Sequence, residues 1–154
     1  MREVVYTRLT PDICRYNRSF FKNHVKKAFV KWCAYQGHLD KVLNKHDLKL
    51  AKAKGYLPED LDIHHIIPLS GVGDPIVNSF SNLCILHKET HKIINRDILQ
   101  PQLKGIEKEP YNSRRIISVP LFDPVDVNGI LYQRKKMLDK SNKLVYNIPK
   151  GGRG

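Results

Sequence analysis

The spacing of apolar positions changes several times along this chain, and each change marks an element. From Ser19 to Gln36, Phe20, Phe21, Val25, Ala28, Phe29, Trp32 and Cys33 recur at helical spacing, while Lys22, Lys26, Lys27 and Lys31 line the other side. This predicts an amphipathic helix capped by Ser19 and ended by Gly37. A second helix is predicted from Leu39 to Lys54, with Gly55 after it and Lys41, Lys45, Lys49, Lys52 and Lys54 as a basic stripe. Leu61 to Ile67 is rich in Ile, alternates poorly and is closed by Pro68, which predicts a short strand. Pro68, Gly71, Gly73 and Pro75 make a long turn. The apolar run Leu83-Cys84-Ile85-Leu86 fits a second short strand, and Lys88 to Asn95 reads as a helix. Beyond Arg96 the pattern weakens. Pro101, Gly105 and Pro110 predict a loop over Gln100 to Tyr111, Arg114 to Val119 a strand, Asn128-Gly129 a hairpin within Val125 to Tyr132, and Leu144 to Ile148 a last short strand.

Chemistry concentrates in Asp62 to Asn95, which holds His64, His65, His87 and His91 of the chain's seven histidines. Residues four apart on a helix share a face, so His91 and Asn95 point the same way. Two residues from one helix face and one from a strand are a workable cradle for a divalent ion with positions left for water and substrate. Adjacent strand residues face opposite sides, so one of His64 and His65 has an alternative reading as a buried, hydrogen-bonded histidine. His87 is better read as capping or bracing the helix start. Asn95 has the alternative of a surface residue near a helix end, and Asn82 that of a turn-former. His24, His38 and His46 sit among lysines and read as solvated or phosphate-facing.

The segment resembles the HNH endonuclease family, whose core is the ββα-metal or His-Me finger. His64-His65-Ile66-Ile67-Pro68 is similar to the family's opening, Ser70-Gly71-Val72-Gly73 to its loop, and Asn82-Leu83-Cys84-Ile85-Leu86 to its Asn-Leu strand. His91 follows that Asn by nine residues and Asn95 closes the pattern. The resemblance implies a metal-dependent endonuclease that hydrolyses phosphodiester bonds to 5′-phosphate and 3′-hydroxyl ends. It implies His65 as general base and Asn82 as the residue that braces the loop and orients that base. His64, His91 and Asn95 are the implied ligands of one divalent ion. Asn95, a harder ligand than His, tilts the expected ion toward Mg²⁺ or Mn²⁺, while two imidazoles still admit Zn²⁺, Ni²⁺ or Co²⁺. Many relatives carry Cys-x-x-Cys pairs for a structural zinc. Cys14, Cys33 and Cys84 lie too far apart for that spacing, so no structural zinc is expected.

Charge agrees with a polyanionic partner. Lys plus Arg number 27 against 15 Asp plus Glu in 154 residues, a formal charge of +12. DNA is the expected substrate, with RNA open, and Lys26, Lys27, Lys49, Lys52, Arg114 and Arg115 are candidate phosphate contacts. The tail from Lys150 to Gly154 is a further basic candidate. No apolar run is long enough to span a membrane, no apolar leader opens the chain, and the unpaired cysteines suggest a reducing, cytoplasmic setting. The expected architecture is α+β in one compact unit. It has a helical basic region over 1–56, a ββα-metal core over 57–97 and a partly β extension over 98–154, whose partner is DNA or another protein. The Met start and the long segment after Asn95 favour a free-standing phage or mobile-element nuclease. The alternatives are a bacteriocin-like or contact-delivered toxin neutralised by an acidic inhibitor, and a non-catalytic nucleic-acid-binding module. Oligomeric state and sequence preference are not legible.

Overall fold

Two small antiparallel sheets sit within a mostly helical chain. A computed structural model describes residues 1–73 and 76–146. β1 (Arg2–Thr7) pairs antiparallel with β4 (Arg114–Val119), from Arg2 opposite Val119 to Thr7 opposite Arg114. β2 (Leu61–His65) pairs antiparallel with β3 (Leu83–His87), from Leu61 opposite His87 to His65 opposite Leu83. Between β1 and β2 lie α1 (Pro11–Phe20), α2 (Lys26–Tyr35) and α3 (Lys45–Lys54). After β3 come α4 (Lys88–Ile93) and α5 (Gln100–Leu103), and after β4 comes α6 (Val127–Tyr146). The expected α+β class holds, with helices and two small antiparallel sheets. Among the described residues no helix is long and apolar enough to cross a membrane.

β3 explains its own lack of alternation, because both of its faces are buried. Leu83 and Ile85 join a core with Phe29, Val30 and Cys33 of α2, Leu39 of the turn after it and Ile130 of α6. Cys84 and Leu86 join a second core with Tyr6, Ile94, Leu99, Ile117 and Val119. Period two assigns the faces of β2 in the same way. Leu61 and Ile63 pack on the first core, and Asp62 and His64 lie on the opposite face.

Several element boundaries differ from expectation, each for a local reason. The first helix begins at Pro11, not Ser19, because Thr10-Pro11-Asp12 supplies an extended N-cap residue, a proline at the first helical position and an early acid. Ser19 is inside the helix, where its hydroxyl accepts from the Asn23 amide at 3.2 Å. A π-helical turn over Phe21–Val25 joins α1 to α2. The second helix starts at Lys45, where the Asn44 side chain accepts from the Asp47 N–H. It ends at Gly55 as expected, in the left-handed region at φ 67°. A side chain at Gly55 would meet the Lys27 backbone at 2.5 Å, so this glycine also permits the close approach of α3 to α2. The region 1–56 is therefore not wholly helical, since β1 crosses to the C-terminal strand β4.

The expected loop over Gln100 to Tyr111 is partly helical, with α5 at Gln100–Leu103 and a 3-10 turn at Ile106–Lys108. A second π-helical turn, Ile94–Leu99, carries α4 directly into α5, with Pro101 in the first turn of α5, where no N–H is needed. Among the described residues, β4 is the only one of the expected C-terminal strands that forms. Asn128-Gly129 is not a hairpin turn but the first turn of α6. The reason is Asp126, whose carboxylate receives the Gly129 N–H and occupies the space where a side chain at 129 would stand. Leu144 to Tyr146 are the last residues of α6. Asn147, Ile148, the tail 150–154 and Pro75 of the expected turn lie outside the described residues.

Candidate metal and nucleic-acid site

His64 and His91 come together as β2 and α4 pack. Their ring centroids are 5.2 Å apart at a steep interplanar angle. His64 is 2 % exposed, with Phe122 edge-on at 6.1 Å, and its Nε2 is buried with no hydrogen-bond partner. Burial, with His91 and His65 adding to it, pushes the His64 imidazole down to about 3, so it is neutral at any physiological pH. A buried ring nitrogen without a partner costs stability unless something binds it.

Asp62 stands two residues before His64 and on the same strand face. Its Oδ2 lies 3.1 Å from His91 Nδ1. A carboxylate only accepts, so His91 Nδ1 carries the proton and Nε2 keeps its lone pair. A carboxylate behind a histidine in this way orients the ring and raises the basicity of the free nitrogen, as it does for metal-binding histidines. The donor set therefore fits a divalent ion in part, with one buried neutral imidazole and a second braced by a carboxylate. Among the described residues no three His, Cys, Asp or Glu side chains converge to hold an ion. A third protein ligand in this arrangement would come from outside those four residue types. Asn95, the expected one, is half-buried on the π-helical turn that follows α4.

His65 faces the other way from β2, toward the α1–α2 junction. The ring of Phe21, at the start of the first π-helical turn, packs edge-on against it at 4.6 Å. Its Nε2 lies 3.1 Å from Asn78 Oδ1. The orientation of that amide is fixed from behind, because Asn78 Nδ2 donates to the Asn17 carbonyl at 3.1 Å. The carbonyl can only accept, so the amide oxygen must face His65, and His65 Nε2 must carry the proton. Nδ1 is left as the basic nitrogen. Burial holds the His65 imidazole below its usual range, partly offset by Asn78 and reinforced by His91.

Asn82 braces the chain between the strands. Its Oδ1 accepts from the Ile67 N–H at 2.8 Å, and its Nδ2 donates to the carbonyls of Ile67 at 3.1 Å and Val77 at 2.9 Å. One buried amide thus satisfies three backbone groups on both limbs of the loop. It makes no direct bond to His65; that part of its expected role falls to Asn78, through the loop that Asn82 holds. Tyr6 anchors the same loop from β1, with its hydroxyl 2.7 Å from Ser70 Oγ and its ring against Gly71, where any side chain would collide at 2.2 Å. Replacing Asn82 with Ala is expected to destabilise the fold by about 3 kcal/mol, since each orphaned buried group costs on the order of 1–3 kcal/mol. Urea denaturation would measure it, and a wild-type midpoint would contradict the bracing role.

His87 caps α4 as expected, its Nδ1 accepting from the Glu89 N–H at 3.0 Å. Its Nε2 faces Asp60 at 3.8 Å. The basic candidates separate. Lys26 and Lys27 are exposed on α2, and Arg114 is exposed on β4. Lys49 and Lys52 border a different hollow with Tyr35. Arg115 is withdrawn from any nucleic-acid role as a free cation. Its guanidinium donates to the Gln102 and Lys104 carbonyls at 2.9 Å and pairs with Glu109. Asp60 and Arg134 form another internal tie at 2.8 Å, joining α6 to the approach to β2 and holding the Asp60 carboxyl below its usual range. Of the histidines read as solvated, His24 and His46 are exposed, while His38 packs its ring 5.5 Å from Trp32.

Sequence reasoning passed over Asp62 and Asn78. Asp62 had a signal, since period two places it beside His64. Asn78 lies in an irregular loop, where no periodicity assigns a direction. Compared with family models, curated proteins and solved structures, the chain matches none.

The buried histidines give the metal-free protein a defined pH response. The unfolded chain takes up a proton on His64 below about 6.5, whereas the folded chain refuses it until about 3. The unfolded state therefore binds more protons in that window, and stability falls as pH falls. The slope approaches about 1.4 kcal/mol per pH unit for a fully neutral buried group, and His65 adds in the same direction. Melting in EDTA is expected to drop steadily from pH 7 to 5. A flat profile over that range would contradict the buried, neutral state of His64.

Proposed function

We propose that this chain is a metal-dependent endonuclease of the HNH kind, with a ββα-metal core formed by β2, β3 and α4. The observation that carries the reading is the joint state of three imidazoles. His64 Nε2 is buried without a partner beside His91, whose proton is drawn to Asp62, and the adjacent His65 is locked with Nδ1 unprotonated. Core packing alone does not call for three adjacent histidines, two of them held neutral by burial and the third braced by a carboxylate.

On this reading His65 Nδ1 takes a proton from water as the water oxygen attacks phosphorus. The bond from phosphorus to the 3′ oxygen breaks, giving a 5′-phosphate and, once that oxygen is protonated, a 3′-hydroxyl. Burial of His65 keeps the base neutral, and Asn78 and Phe21 fix its orientation. His64 and His91 are the residues that would hold the ion, with Asn95 as the candidate third ligand. A bound divalent ion supplies charge stabilisation to the phosphate and the leaving oxygen. The net charge of +12 favours DNA or RNA as the substrate.

The test is cleavage of supercoiled plasmid with Mg²⁺, Mn²⁺, Ni²⁺, Zn²⁺ or EDTA. Metal-dependent nicking or linearisation is expected. Firm nucleic-acid binding with no cleavage of DNA or RNA under any metal would replace the enzyme by a non-catalytic binding module.

A further inference from the structure

A cleft of about 590 Å³ opens between the α1–α2 junction on one side and β2 with the start of α4 on the other. Lys22, Lys26 and Lys27 line it from the helices, Lys88 from α4 and Tyr56 from the turn after α3. Its inner wall includes Asp62, the carboxylate that holds His91. None of the histidines lines the cleft, and Asp62 is the residue it shares with their cluster. Tyr56 is 48 % exposed, so its ring is open to a ligand. Two ammonium groups stand near its ring, Lys27 at 5.5 Å and Lys54 at 5.9 Å from the centroid.

An aromatic ring among lysines is the pairing that single-stranded nucleic acid uses, because bases stack on the ring and the cations meet the phosphates. The volume lies in the range of a small-molecule pocket and suits one nucleotide rather than a duplex, whose paired bases are not free to stack on a side chain. We propose that this cleft holds one unpaired nucleotide of a strand that passes the histidine cluster, its base on Tyr56 and its phosphates on Lys22, Lys26, Lys27 and Lys88. The preferred nucleic acid is then single-stranded or locally opened. This inference rests on the nuclease reading for its purpose but not for its test.

The test is binding in EDTA, where no cleavage is required, by fluorescence anisotropy of a short labelled oligothymidylate over a series of salt concentrations. The wild-type protein is expected to bind this strand more tightly than the same length of duplex. Tyr56→Ala is expected to weaken strand binding by roughly five- to 150-fold, the range for losing one stacked base, with the salt slope unchanged. Tyr56→Phe keeps the ring and is expected to bind as wild type, which separates stacking from a folding defect. Lys27→Ala is expected to reduce the salt slope by about 0.7, one phosphate contact fewer. Tighter binding to duplex, or full affinity in Tyr56→Ala, would overturn the proposal. So would a cleft that binds only acidic peptide, which would mark it as a protein-docking surface. Plasmid cleavage that persists while strand binding ignores Tyr56 would sink this inference alone; strand binding through Tyr56 without cleavage would sink the nuclease reading alone.

Discussion

His65→Ala is expected to lose on the order of 10²–10⁴ in cleavage rate while keeping its fold and its nucleic-acid affinity. The loss follows from the state of the ring. His65 is the imidazole of the cluster whose Nε2 proton is committed to a neutral amide, so its Nδ1 is free to accept a proton without first surrendering one. The neighbouring imidazoles are spoken for, one by its carboxylate and one by burial. Asn78→Ala separates positioning from chemistry. It leaves the base but frees the ring to rotate or change tautomer, and a misplacement of about 1 Å costs on the order of 10²-fold. Asn78→Asp restores an acceptor toward Nε2 and adds a negative charge, which raises the His65 pKa and moves the acid limb of the pH–rate profile upward. The measurement is single-turnover cleavage across pH for the three variants. Wild-type rates in His65→Ala would remove the base assignment, and an unmoved acid limb in Asn78→Asp would remove Asn78 from its positioning role.

The candidate site was more legible in the sequence than the elements around it, and the reason is physical. Its residues sit on a strand, a short run and a helix start, where period two and the four-residue helical repeat fix direction. That is why β2, β3, α4 and the capping role of His87 follow from local spacing, whereas the bracing role of Asn82 was implied by the family resemblance. Direction was lost where the backbone leaves those periods. The π-helical turns at Phe21–Val25 and Ile94–Leu99 each widen a helix by part of a turn, and both lie against the candidate site. The first brings Phe21 onto His65, and the second carries Asn95. Neither departure from the α-helical period is written in residue type, and single π turns recur at functional sites in proteins generally. The β1–β4 pairing was missed for another reason. Its partners are over a hundred positions apart, a separation on which local spacing carries no information. Asp126 is a simpler case, since a cap three residues before a glycine outweighs an Asn-Gly turn signal when a long helical segment follows.

His91→Ala is expected to abolish measurable metal binding, and Asp62→Asn to weaken it by about 10–100-fold. The difference in size is the informative part. His91 would lose the donor nitrogen itself and leave His64 as a lone imidazole, too few ligands to hold a divalent ion. Asp62→Asn keeps that nitrogen but replaces a charged acceptor by a neutral amide. The amide can also turn its N–H toward Nδ1 and force the proton onto Nε2, where the lone pair is wanted. Calorimetric titration with Mn²⁺ and Zn²⁺ at one pH and one ionic strength would rank the wild-type protein and the two variants. Melting adds an independent readout. A metal that binds His64 Nε2 satisfies the buried orphan nitrogen, so saturating ion is expected to raise the melting temperature of the wild type and to leave that of His91→Ala unmoved. A wild-type titration by His91→Ala would take the ion away from this cluster altogether. Equal losses in both variants would mean that Asp62 is itself a ligand. The cradle would then be one carboxylate and two imidazoles, a donor set that draws Mn²⁺, Fe²⁺ or Zn²⁺ ahead of Mg²⁺.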